Sequence, residues 1–204
     1  HPIPHRRLDC FGWFVGAVIL ALLVQLSWYL VRIRFGSWLR PVEVLRGVRD
    51  ALVMAFSTSS STATMPVTYA RLKDLGLRER SASMGALVGS NFNNDGTALY
   101  EAMSALFIAQ MLGMELPIGA QIMIVLTSII ASVGAAGIPE AGLVTMTLVF
   151  SAVHLPTEYI ALLLPVDWFL DRCRTAINVM GDVNVACLLD GKQKATPEEH
   201  AAPA

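Results

Sequence analysis

The chain has 204 residues, enough for one large domain or two small ones. Apolar residues make up 54% of it, charged residues 15%, and the mean hydropathy is +0.56, which is more apolar than an ordinary soluble domain of about 45–50% apolar and 25% charged residues. The net charge of −1 excludes a nucleic-acid-binding surface that depends on excess Lys and Arg, so we expect no nucleic-acid partner.

The N-terminal end and the cysteines indicate no special class of protein. The chain starts at His1 without a Met, and its first nine residues are too polar for a signal peptide, so we expect a fragment or a processed product with a tail over residues 1–10. Cys10, Cys173 and Cys187 form no CxxC pair and no Cys/His cluster. They predict neither a disulfide framework nor a zinc site.

The first predicted element is a membrane-spanning helix over residues 11–31. This segment contains no Asp, Glu, Lys or Arg, and 21 residues at about 1.5 Å each cross a hydrocarbon core of about 30 Å. Trp13 and Trp28 lie near its ends, where aromatic residues favour the membrane interface. Arginines follow from Arg32 onward, so the positive-inside rule places the N-terminal end outside.

Residues 37–76 are predicted to form a first helical hairpin. Six consecutive hydroxyl residues at 57–62, with Pro66 beyond them, are typical of a hairpin tip that enters the membrane and turns back. Such a tip is tolerated at membrane depth only inside protein or beside water.

The next two elements are also interrupted. A helix over residues 81–114 is broken by the polar segment 91–97, and residues 117–156 form a second hairpin whose tip carries Gly134, Gly137 and Pro139. The two glycines have an alternative role as close-packing residues, but the neighbouring proline favours the tip.

The last predicted element is a polar helix over residues 159–190, followed by a disordered tail over 191–204. Ser60 precedes Asn93 by 33 residues and Gly137 precedes Asp171 by 34, which indicates an internal repeat of hairpin and polar helix. Paired interruptions in two halves are typical of transporters with inverted repeats. The predicted fold class is an all-α membrane protein with two re-entrant helical hairpins and a broken helix.

Five polar side chains recur at spacings of three and four residues and so line one face of the last helix: Asp167, Asp171, Arg174, Asn178 and Asp182. Charged groups within a membrane segment are costly and usually mark a substrate or ion path. Arg174 offers a planar fork for a carboxylate and Asp171 accepts from an ammonium group, which together predict an acidic amino acid as ligand. The alternative is that Asp171 and Arg174 pair with each other. Asp182 and Asn178 supply the oxygen ligands that an alkali cation prefers.

An enzymatic function is disfavoured. The hydroxyl run lacks a GxSxG motif, and three of the four histidines lie near the termini, so we expect no serine hydrolase. Glu101 has two equally weighted interpretations, a proton carrier or a carboxyl group hydrogen-bonded within the bundle.

Four motifs in order carry a resemblance to a known family: SSSTATMPVT, NNDGTALYEA, ASVGAAGIPEAGLVTM and VDWFLDRCRTAINVMGD. With them, most of residues 11–190 resembles the dicarboxylate/amino acid:cation symporters, the sodium-coupled glutamate and aspartate transporters. The resemblance implies that the five predicted elements correspond, in chain order, to the sixth helix, hairpin one, helix seven, hairpin two and helix eight of the family. These elements form a transport domain that moves like an elevator, with hairpin two as the outer gate. It also implies sodium ions with no organic cofactor, a homotrimer for a full-length chain, and a multi-pass protein of a plasma or bacterial inner membrane.

The resemblance assigns residues to the substrate: Ser60, Ser61, Thr97, Gly137, Ile138, Asp171, Arg174, Thr175 and Asn178. For sodium it assigns a first site of Gly89, Asn93, Asn178 and Asp182, a second of Asn91 with the carbonyls of Ser132, Val133 and Ala135, and a third with Asn93 and Asp95. Glu101 matches the glutamate of proton-coupled members. Family members that carry neutral amino acids lack the arginine found here as Arg174, and members that carry C4 dicarboxylates lack the aspartates found here as Asp171 and Asp182. The resemblance therefore implies an acidic amino acid as substrate.

Two residues depart from the family pattern beside the cation sites. Asn94 replaces a methionine and Asn91 replaces a threonine. The chain also has no counterpart of the first five helices of the family.

The sequence therefore predicts the transport-domain half of a symporter for glutamate or aspartate, driven by sodium, and also by protons if Glu101 is a proton carrier. Two alternatives stay open, a truncated membrane protein that keeps the substrate and cation site without transporting, and an anion channel.

Overall fold

The computed structural model describes residues 5–135 and 137–194, and all regular secondary structure within these ranges is helical. Ten α-helices follow one another in these ranges: α1 (His5–Gly36), α2 (Pro41–Gly47), α3 (Arg49–Thr58), α4 (Ser61–Asp74), α5 (Glu79–Ser83), α6 (Gly89–Phe92), α7 (Asp95–Met111), α8 (Ile118–Gly134), α9 (Ala141–Ala152) and α10 (Leu164–Asp190). A π-helical turn (Met84–Val88) joins α5 to α6, and a 3-10 helix (Thr157–Leu162) precedes α10.

The first helix is longer than predicted at both ends. It begins at His5 and ends at Gly36, so the prediction of a tail is wrong for residues 5–10, while residues 1–4 lie outside the described ranges. Helix formation does not stop where the apolar segment stops, because Arg and Leu are good helix formers. Within the described residues, Cys10–Gly36 is the one helix that is long and apolar enough to cross a membrane.

Helix α1 buries one face against α10 and leaves the other exposed. Val18, Leu22 and Ile33 are buried, whereas Leu20 and Val24 on the opposite side are more than half exposed. An apolar outer face of this kind suits lipid or a further protein element.

Helices α3 and α4 form an antiparallel pair with a very short turn. Ser59 has a φ of 52°, a left-handed conformation that ends α3. Ser60 then caps α4, since its Oγ accepts a hydrogen bond from the Ala63 N–H at 3.0 Å. The segment predicted as hairpin one, 37–76, contains this pair and also the short helix α2.

The polar segment at 91–97 interrupts a helix in the structure. Helix α6 ends at Phe92, Asn93 and Asn94 are non-helical, and α7 begins at Asp95. Helices α8 and α9 form a second antiparallel pair, with a turn at Ala135–Glu140 in which residue 136 is outside the described ranges.

Helix α10 is the centre of the bundle and packs against α1, α3, α4 and α7. The prediction that it starts at residue 159 is wrong. It begins at Leu164, because Pro165 lacks an N–H and is tolerated only in the first turn of a helix. Residues 191–194 of the predicted tail are non-helical, and 195–204 lie outside the described ranges.

The ends of α1 and α10 are joined by polar contacts. The Trp38 indole N–H donates to Asp190 Oδ2 at 2.7 Å, and the Trp38 backbone N–H donates to the Gly191 carbonyl at 3.1 Å. The Arg78 backbone N–H donates to Asp190 Oδ1 at 2.8 Å. Asp190 therefore connects the end of α10 to the segments that follow α1 and precede α5.

The π-helical turn approaches α10 through a glycine. A Cβ atom added at Gly85 would lie 2.5 Å from Ala186 Cβ and 2.7 Å from the Asp182 carbonyl oxygen. We expect Gly85→Ala to lower the unfolding temperature, because backbone must shift to admit the methyl group. Overpacking costs about 1–3 kcal/mol, and each kcal/mol corresponds to about 2–4 °C.

Gly119→Ala in α8 is the matched control, since a Cβ there meets nothing within 4 Å. It should leave the unfolding temperature unchanged or raise it, because Ala is a better helix former than Gly. Thermal unfolding of both variants in detergent measures the difference. Equal unfolding temperatures would show that the α10 contact at Gly85 is not tight.

Candidate substrate and cation site

Four parts of the fold meet at one small cavity: the α3–α4 turn, the break before α7, the α8–α9 turn and the middle of α10. Its lining residues are Ser59, Ser61, Asn94, Thr97, Ala135, Gly137, Ile138, Ala141, Gly142, Asp171, Thr175 and Asn178. The room inside is about 20 Å³, which corresponds to about one water molecule. The arrangement is therefore closed, and a larger ligand can enter only if one of the turns moves.

The two turns touch each other directly. Ser60 Oγ donates to the Gly137 carbonyl at 2.6 Å, and the Thr62 N–H donates to the same carbonyl at 3.2 Å. Ser61 Oγ donates to the Ser90 carbonyl at 3.2 Å. A Cβ at Gly137 would lie 2.4 Å from Ser61 Oγ, so the approach of the two turns requires glycine there.

Arg174 is fully buried between two aspartates of its own helix. Its Nη1 donates to Asp167 Oδ1 at 2.8 Å and its Nη2 to Asp171 Oδ1 at 2.6 Å, while the guanidinium carbon lies 4.0 Å from the centre of the Tyr100 ring. Its Nε has no hydrogen-bond partner among the described residues. The pairing of Asp171 with Arg174, weighed as an alternative above, is thus present in this closed arrangement.

Asp167 belongs to the site although it was not among the predicted ligands. It lies on the predicted polar face, seven residues before Arg174, and this spacing of two turns could have identified it.

Asp171 connects α10 to the second turn. Its Oδ2 accepts from the Glu140 backbone N–H at 3.1 Å, and its carbonyl accepts from Thr175 Oγ1 at 2.8 Å. Ile138 lines the cavity but is 55% exposed. Seven of the nine predicted substrate residues line the cavity, with Ile138 at its edge. The other two, Ser60 and Arg174, are not among the lining residues but bond to Gly137 and Asp171, which are.

Amide side chains join the helix break to α10. The Gly96 backbone N–H donates to Asn178 Oδ1 at 2.7 Å, and Asn178 Nδ2 donates to Thr97 Oγ1 at 3.1 Å and to Asn94 Oδ1 at 3.3 Å. Asn94 was noted above only as a departure from the family pattern.

Asp182 forms the centre of the first predicted cation site. It is 2% exposed, and the one hydrogen bond that its carboxylate receives from the described residues is from Asn93 Nδ2 at 3.3 Å. A Cβ at Gly89 would lie 2.6 Å from Asp182 Oδ1, so glycine lets the backbone of α6 approach the carboxylate. A buried carboxylate with so few donors fits a cation. Asn178, which was also assigned to this site, lies one turn before Asp182 on α10, and its Oδ1 accepts from the Gly96 N–H instead.

The residues predicted for the second cation site are not all buried, unlike Asp182 of the first. Asn91 is exposed and its Nδ2 donates to the Leu87 carbonyl at 3.1 Å. Val133 is 42% exposed, whereas Ser132 and Ala135 are buried. Their carbonyls accept from Asn94 Nδ2 at 3.0 and 3.4 Å.

Asp95, predicted for the third cation site, contacts α1. Its Oδ2 accepts from the Tyr29 hydroxyl at 2.6 Å and from Gln25 Nε2 at 3.3 Å. The residue is exposed. The sequence analysis did not predict a role for Tyr29 or Gln25. Their polar groups within the apolar segment 11–31 could have indicated one.

Glu101 is fully buried between α7 and α9. Its Oε1 accepts from Thr145 Oγ1 at 2.5 Å, and its Oε2 has no hydrogen-bond partner among the described residues. One of its oxygens is thus bonded and the other is available for a proton.

Comparison with known proteins gives one family. The model of the Sodium:dicarboxylate symporter family matches residues 6–192. Similar proteins include excitatory amino acid transporter 4 of Rattus norvegicus, 46% identical over 181 residues that cover 88% of this chain and 32% of the relative. Excitatory amino acid transporters 1 and 2 of Homo sapiens are 47% identical over 169 residues and 46% identical over 173 residues.

The matches cover 82% and 84% of this chain and 30% of each of the two human relatives. The chain thus spans about a third of the length of the relatives that it matches. The family model covers nearly all of it, and the described helices agree with a membrane protein. The chain belongs to the sodium:dicarboxylate symporter family.

Proposed function

We propose that this chain forms the substrate- and cation-binding part of a symporter that carries glutamate or aspartate across a membrane together with sodium and protons. The observation that carries the proposal is Arg174, fully buried between Asp167 and Asp171 beside a closed cavity. The family is named for sodium and dicarboxylates, and the similar proteins are named as excitatory amino acid transporters. This supports transport and not enzymatic catalysis.

An acidic amino acid can replace the Arg174–Asp171 ion pair while each of these two residues keeps a partner of opposite charge. Its side-chain carboxylate takes the place of Asp171 on Arg174, and Asp171 then accepts from the ammonium group. Both carboxylate–cation contacts are kept, so the desolvation cost of burying the ligand is offset. The cavity holds about one water molecule, and the α8–α9 turn must move aside before such a ligand enters.

The buried charges favour cation coupling. Among the described residues, five carboxyl groups are buried but only one guanidinium, that of Arg174. Asp190 pairs with Arg78 at the end of α10, and the other four lie inside the bundle: Glu101, Asp167, Asp171 and Asp182. An excess of negative charge inside a membrane protein is costly unless cations or protons neutralise it. Asp182, Asn93 and the backbone at Gly89 would hold sodium, and Glu101 would hold a proton through Oε2.

The arrangement relative to the membrane is part of the proposal. We place α3–α4 and α8–α9 as re-entrant hairpins, with α8–α9 as the outer gate, in a multi-pass protein whose transport domain moves like an elevator within a homotrimer. The exposed apolar faces of α8 and α9, which include Ile122, Ile130 and Val144, suit this location.

The direct test is uptake of labelled aspartate by the purified protein in liposomes. An inward sodium gradient should drive accumulation above the external concentration, whereas a potassium gradient should not. Current without accumulation would indicate the anion channel instead. Sodium-dependent aspartate binding without uptake would indicate the non-transporting alternative, which the names of the relatives do not favour.

Arg174→Lys keeps the buried charge but loses the planar fork that engages Asp167 and Asp171. We expect aspartate binding to weaken about 10- to 100-fold, the loss that corresponds to one hydrogen bond between charged groups. Arg80→Lys, at an exposed position, is the matched control and should bind normally. Titration calorimetry measures the affinities, and an unchanged affinity in Arg174→Lys would remove Arg174 from the substrate site.

Asp182→Asn removes the buried charge while it keeps the shape of the side chain. Sodium-coupled binding gives a negative slope of log Kd for aspartate against log sodium concentration. We expect this slope to become shallower by about one, because one coupled cation is lost. Asp50→Asn, on the exposed part of α3, is the control and should keep the slope. A slope that stays the same in Asp182→Asn would contradict the assignment of the first cation site.

Glu101→Gln cannot carry a proton but keeps a hydrogen-bond acceptor for Thr145. We expect sodium-driven aspartate uptake to continue without the accompanying movement of protons, measured by a pH-sensitive dye inside the liposomes. Glu158→Gln on the exposed 3-10 helix should keep the proton signal. Proton movement that persists in Glu101→Gln would leave Glu101 as a hydrogen-bonded carboxyl group of the bundle.

A further inference from the structure

Asn94 is a buried amide at the point where the break before α7 meets the end of α8. It is 4% exposed, and it accepts from Asn178 on one side and donates to the end of α8 on the other. Its two α8 partners are the carbonyl oxygens of Ser132 and Ala135, at 3.0 and 3.4 Å from Nδ2. The side chain thus lies between α10 and the α8–α9 turn.

The orientation of this amide is determined by a backbone group. The Gly96 N–H can only donate, so the atom of Asn178 at 2.7 Å from it must be the oxygen Oδ1. Asn178 therefore directs its Nδ2 to Asn94, which must present Oδ1 there and Nδ2 to α8. The reverse orientation of Asn94 would place its oxygen against two carbonyl oxygens.

Two of the three carbonyls assigned to a cation here, those of Ser132 and Ala135, are already engaged by a neutral amide, so the set as it stands does not fit sodium. Carbonyl oxygens coordinate a cation through the same lone pairs that accept an N–H, and those of Ser132 and Ala135 accept the Asn94 amide. The Ser132 carbonyl also accepts from the Ala135 N–H at 3.2 Å. Asn91, the remaining side chain assigned here, is exposed and bonded to Leu87.

We propose that the Asn94 side-chain amide takes the place of a cation at the end of α8, so that closure of the α8–α9 turn over the cavity does not require sodium there. The inference rests on the proposed function, since it concerns which step of symport requires a bound cation. The two N–H groups of the Asn94 amide direct their partial positive charge toward the Ser132 and Ala135 carbonyls, as a bound cation would. Asp182 has no such internal substitute, because the described residues give its carboxylate a single hydrogen bond.

The experiment is a sodium titration of aspartate binding to the full-length protein with Asn94→Met. Methionine is larger than asparagine but unbranched and flexible, and it has no N–H, so the Ser132 and Ala135 carbonyls regain lone pairs for a cation. We expect the negative slope of log Kd against log sodium concentration to become steeper by about one. Each tenfold rise in sodium then tightens aspartate binding by a further tenfold beyond the tightening in the unmodified protein.

Gln121→Met is the matched control. Gln121 also donates from its amide to a backbone carbonyl, that of Leu116 at 3.0 Å, but it lies exposed at the other end of α8. Its slope should equal that of the unmodified protein. Asn94→Leu replaces Asn94→Met if the latter does not fold, with the same expected slope.

An unchanged slope in both Asn94 variants would overturn the inference and leave the proposed function intact. Aspartate binding by the unmodified protein that ignores sodium would instead contradict the proposed symport. If the Asn94 variants acquired a sodium dependence against that background, the amide would still be shown to stand in for a cation.

Discussion

Burial of the Arg174 guanidinium is the constraint on which the rest of the structure depends. A buried charge needs anionic partners, and Asp167 and Asp171 supply them two turns and one turn before Arg174 on the same helix. Asp171 then reaches the α8–α9 turn through the Glu140 N–H. The charge in the middle of α10 thereby determines the position of the α8–α9 turn. The Tyr100 ring of α7 packs against the Arg174 guanidinium as well.

Interruption of helices is what makes polar chemistry available inside an apolar bundle. A continuous helix satisfies its own backbone groups, whereas the break at Asn93 and Asn94 frees the Gly96 N–H for Asn178. The turn at residue 137 presents a carbonyl to Ser60 and Thr62 in the same way. The polar groups of the candidate site therefore lie where helices are interrupted, and the continuous helices α1, α7 and α10 hold those interruptions in place.

The sequence allowed the helix interruptions and most of the polar residues that line the cavity to be predicted, because interruptions in apolar segments are strong signals. Breaks near residues 59, 93 and 137 were all recognisable from hydroxyl, amide and glycine residues. The ends of α1 and α10 were less predictable, since Arg and Leu extend a helix beyond its apolar part and Pro165 restricts where one begins. The role of Asn94 was not predictable at all, because it depends on which carbonyls the fold brings to its amide.

The contacts around Asp190 have a mechanical consequence. Trp38 follows α1 and Asp190 ends α10, and their hydrogen bond lies at one end of a pair of long helices that also pack side by side. Nine residues before Trp38, Tyr29 of α1 donates to Asp95 at the start of α7. The C-terminal part of α1 is therefore held to two different helices, so a displacement of this part of α1 would be transmitted to the body that contains the cavity.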